Sequence, residues 1–197
     1  MGIAVLGGTF DPVHLGHLII AEQAYNNFDL EKVIFMPAYS PPHKDEAGIT
    51  ETGHRLEMTR LALEDNSHFE YSEREISRAG RSYTVDTLKE MQEDYPDQKI
   101  YFLIGADSLL DIYSWKEPRY LLENANFITA RRPDFSLKEI FLDERFRPYR
   151  DNIELLDNSL VDISSSQIRR LYRAGKSIKY LVLPVIEKYI GDNRLYC

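Results

Sequence analysis

Gly7-Gly8-Thr9-Phe10-Asp11-Pro12-Val13-His14-Leu15-Gly16-His17 stands between an apolar run at residues 3–6 and a segment of helical period at 18–28. A strand, a glycine turn and a helix in that order bring backbone N–H groups and the positive end of a helix dipole to one point, which makes an anion site by position. Gly7 and Gly8 let backbone approach a ligand closely, and Thr9 offers a hydroxyl. The helix start near Gly16 and His17 adds open N–H donors. His14 and His17 are three residues apart, so on one turn both imidazoles face the same way and can donate to phosphate oxygens. Taken alone, the same residues also describe a plain turn with histidines capping a helix.

Outward from this stretch, apolar runs at 33–36, 69–71, 100–104, 127–130 and 153–156 repeat the strand pattern of 3–6. Helical segments alternate with them. Residues 54–64 carry Leu56, Leu61 and Ala62 toward one side, and 84–94 set Val85, Leu88 and Met91 three apart before the stop at Pro96-Asp97. Alternation of this kind predicts an α/β fold, a parallel sheet covered on both faces by helices. Ligands of such open sheets sit beyond the carboxyl ends of the strands. Long loops are expected at 38–53 and, around a weaker helix, at 132–150. The expected organisation is one domain, 1–197, with 164–197 as a small helical C-terminal cap.

Hydrophobic residues at 43% and charged residues at 28% exclude a disordered chain. A net charge of −8 sets the whole molecule against polyanions, so extended nucleic acid is not an expected partner, and a phosphate ligand must be held by local donors. The single cysteine, Cys197, makes no internal disulfide, which suits a reducing compartment. The start of the chain reads as a strand and not as a signal peptide. The apolar stretch at 180–190 is broken by Pro184 and Glu187-Lys188, short of the roughly 18 residues that span a bilayer. A cytoplasmic protein is expected, with no membrane partner; whether it forms a homo-oligomer stays open.

The eleven-residue string resembles the signature Gly-x-Phe-Asp-x-x-His-x-Gly-His of the nucleotidyltransferase superfamily that shares its fold with class I aminoacyl-tRNA synthetases. Within it, the chain most resembles the bacterial type of nicotinate-mononucleotide adenylyltransferase, nearly end to end. Pro41-Pro42-His43-Lys44, Gly105-Ala106-Asp107, Arg131-Arg132-Pro133 and Ile163-Ser164-Ser165-Ser166-Gln167-Ile168-Arg169 carry the resemblance further. It implies an open, doubly wound, Rossmann-like nucleotidyltransferase fold that moves AMP from ATP to nicotinate mononucleotide. His14, His17, Lys44 and Arg169 would then stabilise charge. Gly7, Gly8, Thr9, Phe10, Gly16, Gly105, Asp107, Arg131, Ser164 and Ser166 would line the ATP site.

Local readings compete with these roles: Lys44 as solvated surface, Asp107 as the cap of a helix at 108–112, and Ser164 with Arg169 as an ordinary cap and surface charge. For the acceptor, Trp115, set among polar residues, can stack on a flat pyridine ring or serve packing. In several relatives an aromatic follows that tryptophan; here Lys116 does. Tyr83 and Thr84 open a helix whose free N–H groups suit the carboxylate of nicotinate better than an amide NH₂, although Thr84 can equally be a plain cap. The acceptor phosphate is already ionised, so no general base is required and direct in-line attack on the α-phosphorus is expected. Mg²⁺ is expected with the ATP phosphates and no dedicated protein metal site. Rival readings are another acceptor, such as nicotinamide mononucleotide or phosphopantetheine, and a non-catalytic nucleotide sensor. A sensor would be expected to lack His17, Lys44 or Arg169, and all three are present.

Overall fold

The computed structural model describes residues 1–41, 48–131, 140 and 142–197. Among them six strands, β1 (Gly2–Gly8), β2 (Leu30–Pro37), β3 (Phe69–Tyr71), β4 (Lys99–Gly105), β5 (Asn126–Ala130) and β6 (Ile153–Leu156), form one sheet. The order is β3-β2-β1-β4-β5-β6, and every neighbouring pair is parallel. This is the doubly wound order of a Rossmann-like sheet, whose direction of winding reverses beside β1. Side chains alternate across the pleat: Ala4 and Leu6 enter one core and Ile3 and Val5 the other, so each face carries its own apolar layer.

The helices are α1 (Leu15–Asn27), α2 (Thr52–Leu63), α3 (Arg74–Arg78), α4 (Thr84–Asp94), α5 (Ala106–Leu110), α6 (Pro118–Asn124), α7 (Ser165–Arg173) and α8 (Pro184–Asp192). α4 has the predicted bounds and buries Val85, Leu88 and Met91, with Thr87 beside them. α2 differs in its face. Arg55, Met58, Thr59, Ala62 and Leu63 are its buried residues, while Leu56 and Leu61 are half-buried. A buried arginine at the head of that stripe hid its true direction. The sequence reading passed over α3 and α6, which have five and seven residues and too few turns to show a period. α7 buries Ile168 and α8 packs on α2, burying Ile186 and Ile190.

One feature of the register positions the site. β1 pairs with β2 as far as Gly8–Pro37, but with β4 only as far as Val5–Phe102, although β4 runs on to Gly105. The two central strands therefore part at their carboxyl ends and leave a crevice at the switch point. No helix among the described residues is long and apolar enough to cross a membrane.

Candidate active site

The signature stretch caps β1 and starts α1 at Leu15, beside the expected start near Gly16 and His17. His14 is the N-cap residue, with extended backbone, and His17 is already in the first turn. The two rings stack, centroids 3.6 Å apart and planes 22° apart. The His14 backbone N–H donates to His17 Nδ1 at 3.3 Å, which places the ring proton on Nε2 and makes that nitrogen the donor. His14 is buried and His17 partly exposed, so His17 forms the outer face of the pair. Gly16 gives this arrangement room, since a Cβ there would lie 3.1 Å from His14 Nδ1 and push on that ring.

Gly7 is exposed at the strand end, with open space where a Cβ would be. Gly8 is closed from behind: a Cβ would meet the Phe10 ring at 2.9 Å. Phe10 itself is only 1% exposed, with φ 48, and packs against Phe35 and edge-on to His17. Its ring therefore supports the loop from within, and a nucleotide contact at Phe10 would fall to its backbone. The left-handed backbone lets the chain reverse around that ring.

Two buried charges that the sequence reading did not single out hold the loop. Arg55, 1% exposed, donates to the carbonyls of Thr9 (2.8 Å), Ala38 (2.7 Å), Tyr39 (3.2 Å) and Thr50 (2.9 Å). Burial pushes its guanidinium below the ordinary arginine value, while Asp11 and Tyr196 act in the opposite direction. Asp11, also 1% exposed, accepts from the Tyr196 hydroxyl at 2.7 Å and from the Thr50 backbone N–H at 3.2 Å. An arginine in phase with Met58, Thr59 and Ala62 was the available signal for Arg55.

α7 brings a second helix start against the signature loop. Ser164 is its N-cap and accepts from the Gln167 N–H at 3.2 Å; Ser165 Oγ donates to the Pro12 carbonyl at 2.9 Å, tying the helix start to the signature loop. Arg169 donates to the Asp11 carbonyl at 2.7 Å and, at 3.4 Å, to Ser166 Oγ. Gly105 ends β4 and is the cap of α5; Asp107 is exposed in the first turn, so it is not the cap of the helix expected at 108–112. Arg131 follows β5, its backbone N–H donating to Asn158 Oδ1 at 2.6 Å. All of these lie at the carboxyl ends of β1, β4 and β5 or on the turn of α7. Lys44, with Pro42, His43, Arg132 and Pro133 of the quoted motifs, lies outside the described residues.

A separate pocket gathers the expected acceptor residues. Tyr83, Thr84 and Trp115 line it together with Ser82 and Lys116. Tyr83, not Thr84, is the N-cap of α4; Thr84 is the first helical residue, so its N–H is among those directed out of the helix. Lys116 Nζ bonds both oxygens of Asp86 at 3.0 Å and lies 4.7 Å from the Tyr83 ring centroid. Behind the pocket Glu75, 7% exposed, accepts from Thr87 Oγ1 at 2.7 Å, and burial pushes its carboxyl above the usual carboxylate value. The pocket is joined to the donor loop through Arg55. Beyond the Tyr39 carbonyl that Arg55 holds, the Tyr39 N–H donates to Ser82 Oγ at 2.9 Å and the Ser82 N–H to the Ser40 carbonyl at 3.0 Å.

The cytidylyltransferase-like family matches residues 5–171 of the chain. A probable nicotinate-nucleotide adenylyltransferase of Desulfitobacterium hafniense (strain Y51) is 47% identical, over 98% of this chain and 95% of the relative. One of Geobacter sp. (strain M21) is 42% identical, over 100% of this chain and 98% of its own length. The chain belongs to this family. Its fold is also that of Plasmodium falciparum nicotinic acid mononucleotide adenylyltransferase. The structure complexed with NaAD matches with a TM-score of 0.82 at 24% identity, over 99% of this chain and 97% of that one. The structure complexed with APC matches with a TM-score of 0.80 at 24% identity, over 99% and 96%.

Proposed function

We propose that the chain transfers AMP from ATP to nicotinate mononucleotide, forming nicotinate adenine dinucleotide and releasing pyrophosphate, a step of NAD biosynthesis. The observation that carries this reading is the hydrogen-bonded path from the donor loop to the acceptor pocket. Arg55 holds the carbonyls of Thr9 and Tyr39, and Tyr39 holds Ser82 in the pocket wall. Family membership and the fold support the same reading.

In this proposal Gly7, Gly8 and Thr9 form the floor under the ATP phosphates, and the first turn of α1 and the Ser164–Ser166 turn of α7 supply N–H donors. Gly105, Asp107 and Arg131 border the nucleoside from the neighbouring strand ends. His17 donates from Nε2, with His14 stacked behind it, to charge that builds on the phosphate oxygens; Arg169 and Lys44 add cationic donors. The mononucleotide phosphate attacks the α-phosphorus in line and pyrophosphate leaves on the opposite side. Position and electrostatic stabilisation do the work, without a covalent intermediate. Among the described residues no group of three or more His, Cys, Asp or Glu could hold a metal ion. In this proposal Mg²⁺ enters as part of the substrate Mg-ATP, carried by phosphate oxygens and water.

Trp115 stacks on the pyridine ring, and the N–H groups opening α4 at Tyr83 and Thr84 receive its carboxylate. A nicotinamide group would turn NH₂ donors toward donors, which disfavours it. The test is pyrophosphate release from Mg-ATP with nicotinate mononucleotide, nicotinamide mononucleotide and phosphopantetheine offered separately. The expected result is a strong preference for the nicotinate acceptor and a loss on the order of 10²–10³-fold in kcat for His17→Ala. Preference for the amide would overturn the account of Thr84. Turnover with phosphopantetheine alone would overturn the acceptor, and ATP binding without turnover would make the chain a sensor.

A further inference from the structure

We infer that Tyr196, far from the signature loop in sequence, is a positioning residue for the ATP half of the site: its hydroxyl holds Asp11 and thereby leaves Arg169 available to the phosphates. The inference rests on the proposed reading that Arg169 meets ATP.

After α8 the chain turns back sharply. Arg194 and Tyr196 both adopt left-handed backbone, with φ 53 and φ 64. The Leu195 N–H donates to the Ile190 carbonyl at 3.0 Å and the Arg194 N–H to the Gly191 carbonyl at 3.2 Å. Two non-glycine residues in this region oppose folding by about 1 kcal/mol each. What that geometry achieves is to seat Tyr196, 8% exposed, in the core on the signature-loop side of the sheet, with its hydroxyl 2.7 Å from Asp11 Oδ1. An apolar plug would be served by phenylalanine. The hydroxyl makes a charge-assisted bond to a carboxylate that solvent does not reach. Burial and the neighbouring Asp11 push its pKa well above the ordinary tyrosine value, so it stays a donor at physiological pH.

The other Asp11 oxygen, Oδ2, accepts from the Thr50 N–H at 3.2 Å and lies 3.7 Å from Arg169 Nη1. That same nitrogen donates to the Asp11 backbone carbonyl at 2.7 Å, so Arg169 is anchored at the loop without closing fully on the carboxylate. Removing the Tyr196 hydroxyl leaves Oδ1 of a buried anion without its donor. Arg55 is poorly placed to answer, because four of its five N–H groups are engaged with carbonyls. Arg169 is the cation that can, by moving inward onto Asp11 and away from the nucleotide.

Tyr196→Phe keeps the ring and removes only the hydroxyl. The expected result is a KM for Mg-ATP raised about ten-fold, with kcat and the KM of the acceptor changed by less than about two-fold. In an Arg169→Ala background the same change should add nothing further, since its effect runs through Arg169. The control is Tyr189→Phe, which removes a hydroxyl bonded to His54 Nδ1 at 2.9 Å and not to Asp11; it should leave both KM values unaltered. An unchanged KM for Mg-ATP in Tyr196→Phe overturns the inference. So does a parallel rise in both KM values, failure of Tyr196→Phe to fold, or full additivity with Arg169→Ala, each of which makes the hydroxyl merely structural. If the wild-type chain turns over no acceptor, the proposed function fails by itself. Calorimetric binding of α,β-methylene-ATP to the same variants then still reads the positioning effect, as a loss of about ten-fold in affinity.

Discussion

The donor and acceptor halves of the site are held in opposite ways. Around the signature loop the fixing groups are interior ones: Arg55 and Asp11 are each 1% exposed and bind carbonyls, a backbone N–H and a tyrosine hydroxyl. Around Trp115 the polar contacts lie nearer to solvent, with Lys116 paired to Asp86 at the rim and Lys89 to Glu117 close by. A charge-stabilising site needs donors that do not reorganise when the phosphate arrives, and buried networks provide that rigidity. A site that recognises one flat ring needs shape and a few directed N–H groups, and exposed ion pairs add little to its stability.

Breaking the donor half should therefore have the largest effect. Arg55→Ala strips the carbonyls of Thr9, Ala38, Tyr39 and Thr50 of their donors and leaves Arg169 as the remaining cation beside Asp11. It should lower unfolding free energy by about 3–5 kcal/mol, read as a lower urea midpoint. Arg55→Lys should recover only part of this, since one ammonium cannot reach four separated carbonyls. Equal stability of Arg55→Ala and the wild type would show that the buried network does not hold the loop.

Trp115→Ala tests the acceptor half on its own. The stacking loss, roughly 1–3 kcal/mol, should raise the acceptor KM about ten-fold or more and leave the KM of Mg-ATP and the urea midpoint near wild type. A comparable rise in the KM of Mg-ATP would erase the division between the halves.

The smallest effect is expected at Glu75, a buried carboxylate that Thr87 ties to α4. Its folded pKa lies above the unfolded value of 4.5, so the folded state holds that proton more tightly and wild-type stability falls as pH rises from near 4.5 through the folded value. Glu75→Gln removes this slope. The Tm of the wild type relative to the variant should decline with rising pH through that window and then level off; a pH-independent difference would mean that Glu75 does not titrate there.

Residues of the donor half were legible because they are adjacent in the chain. Gly7 to His17 spell a strand end, a turn and a helix start, and local geometry is enough to aim them at one point. Phe10 shows the limit: its place in the signature does not say where its ring goes, and only the packing against Gly8, Phe35 and His17 reveals that the ring faces inward. Arg55 shows another limit, because a charged residue in a helix reads as surface unless its carbonyl partners from distant segments are known. Glu75 was missed with α3, whose five residues are too few to display a period.

The sequence by itself determined the alternation of strands and helices, the parallel sheet and the place of the phosphate loop, since these follow from periodicities of two and 3.6 residues and from glycine positions. Tertiary structure alone decided which polar groups are buried and whom they meet. Thr9, Ala38 and Thr50 converge on Arg55, and Asp11 meets Tyr196 from the other end of the chain. Such pairings depend on how the layers close around the sheet. Their energy comes from the absence of water at the contact, which no single segment of the chain encodes.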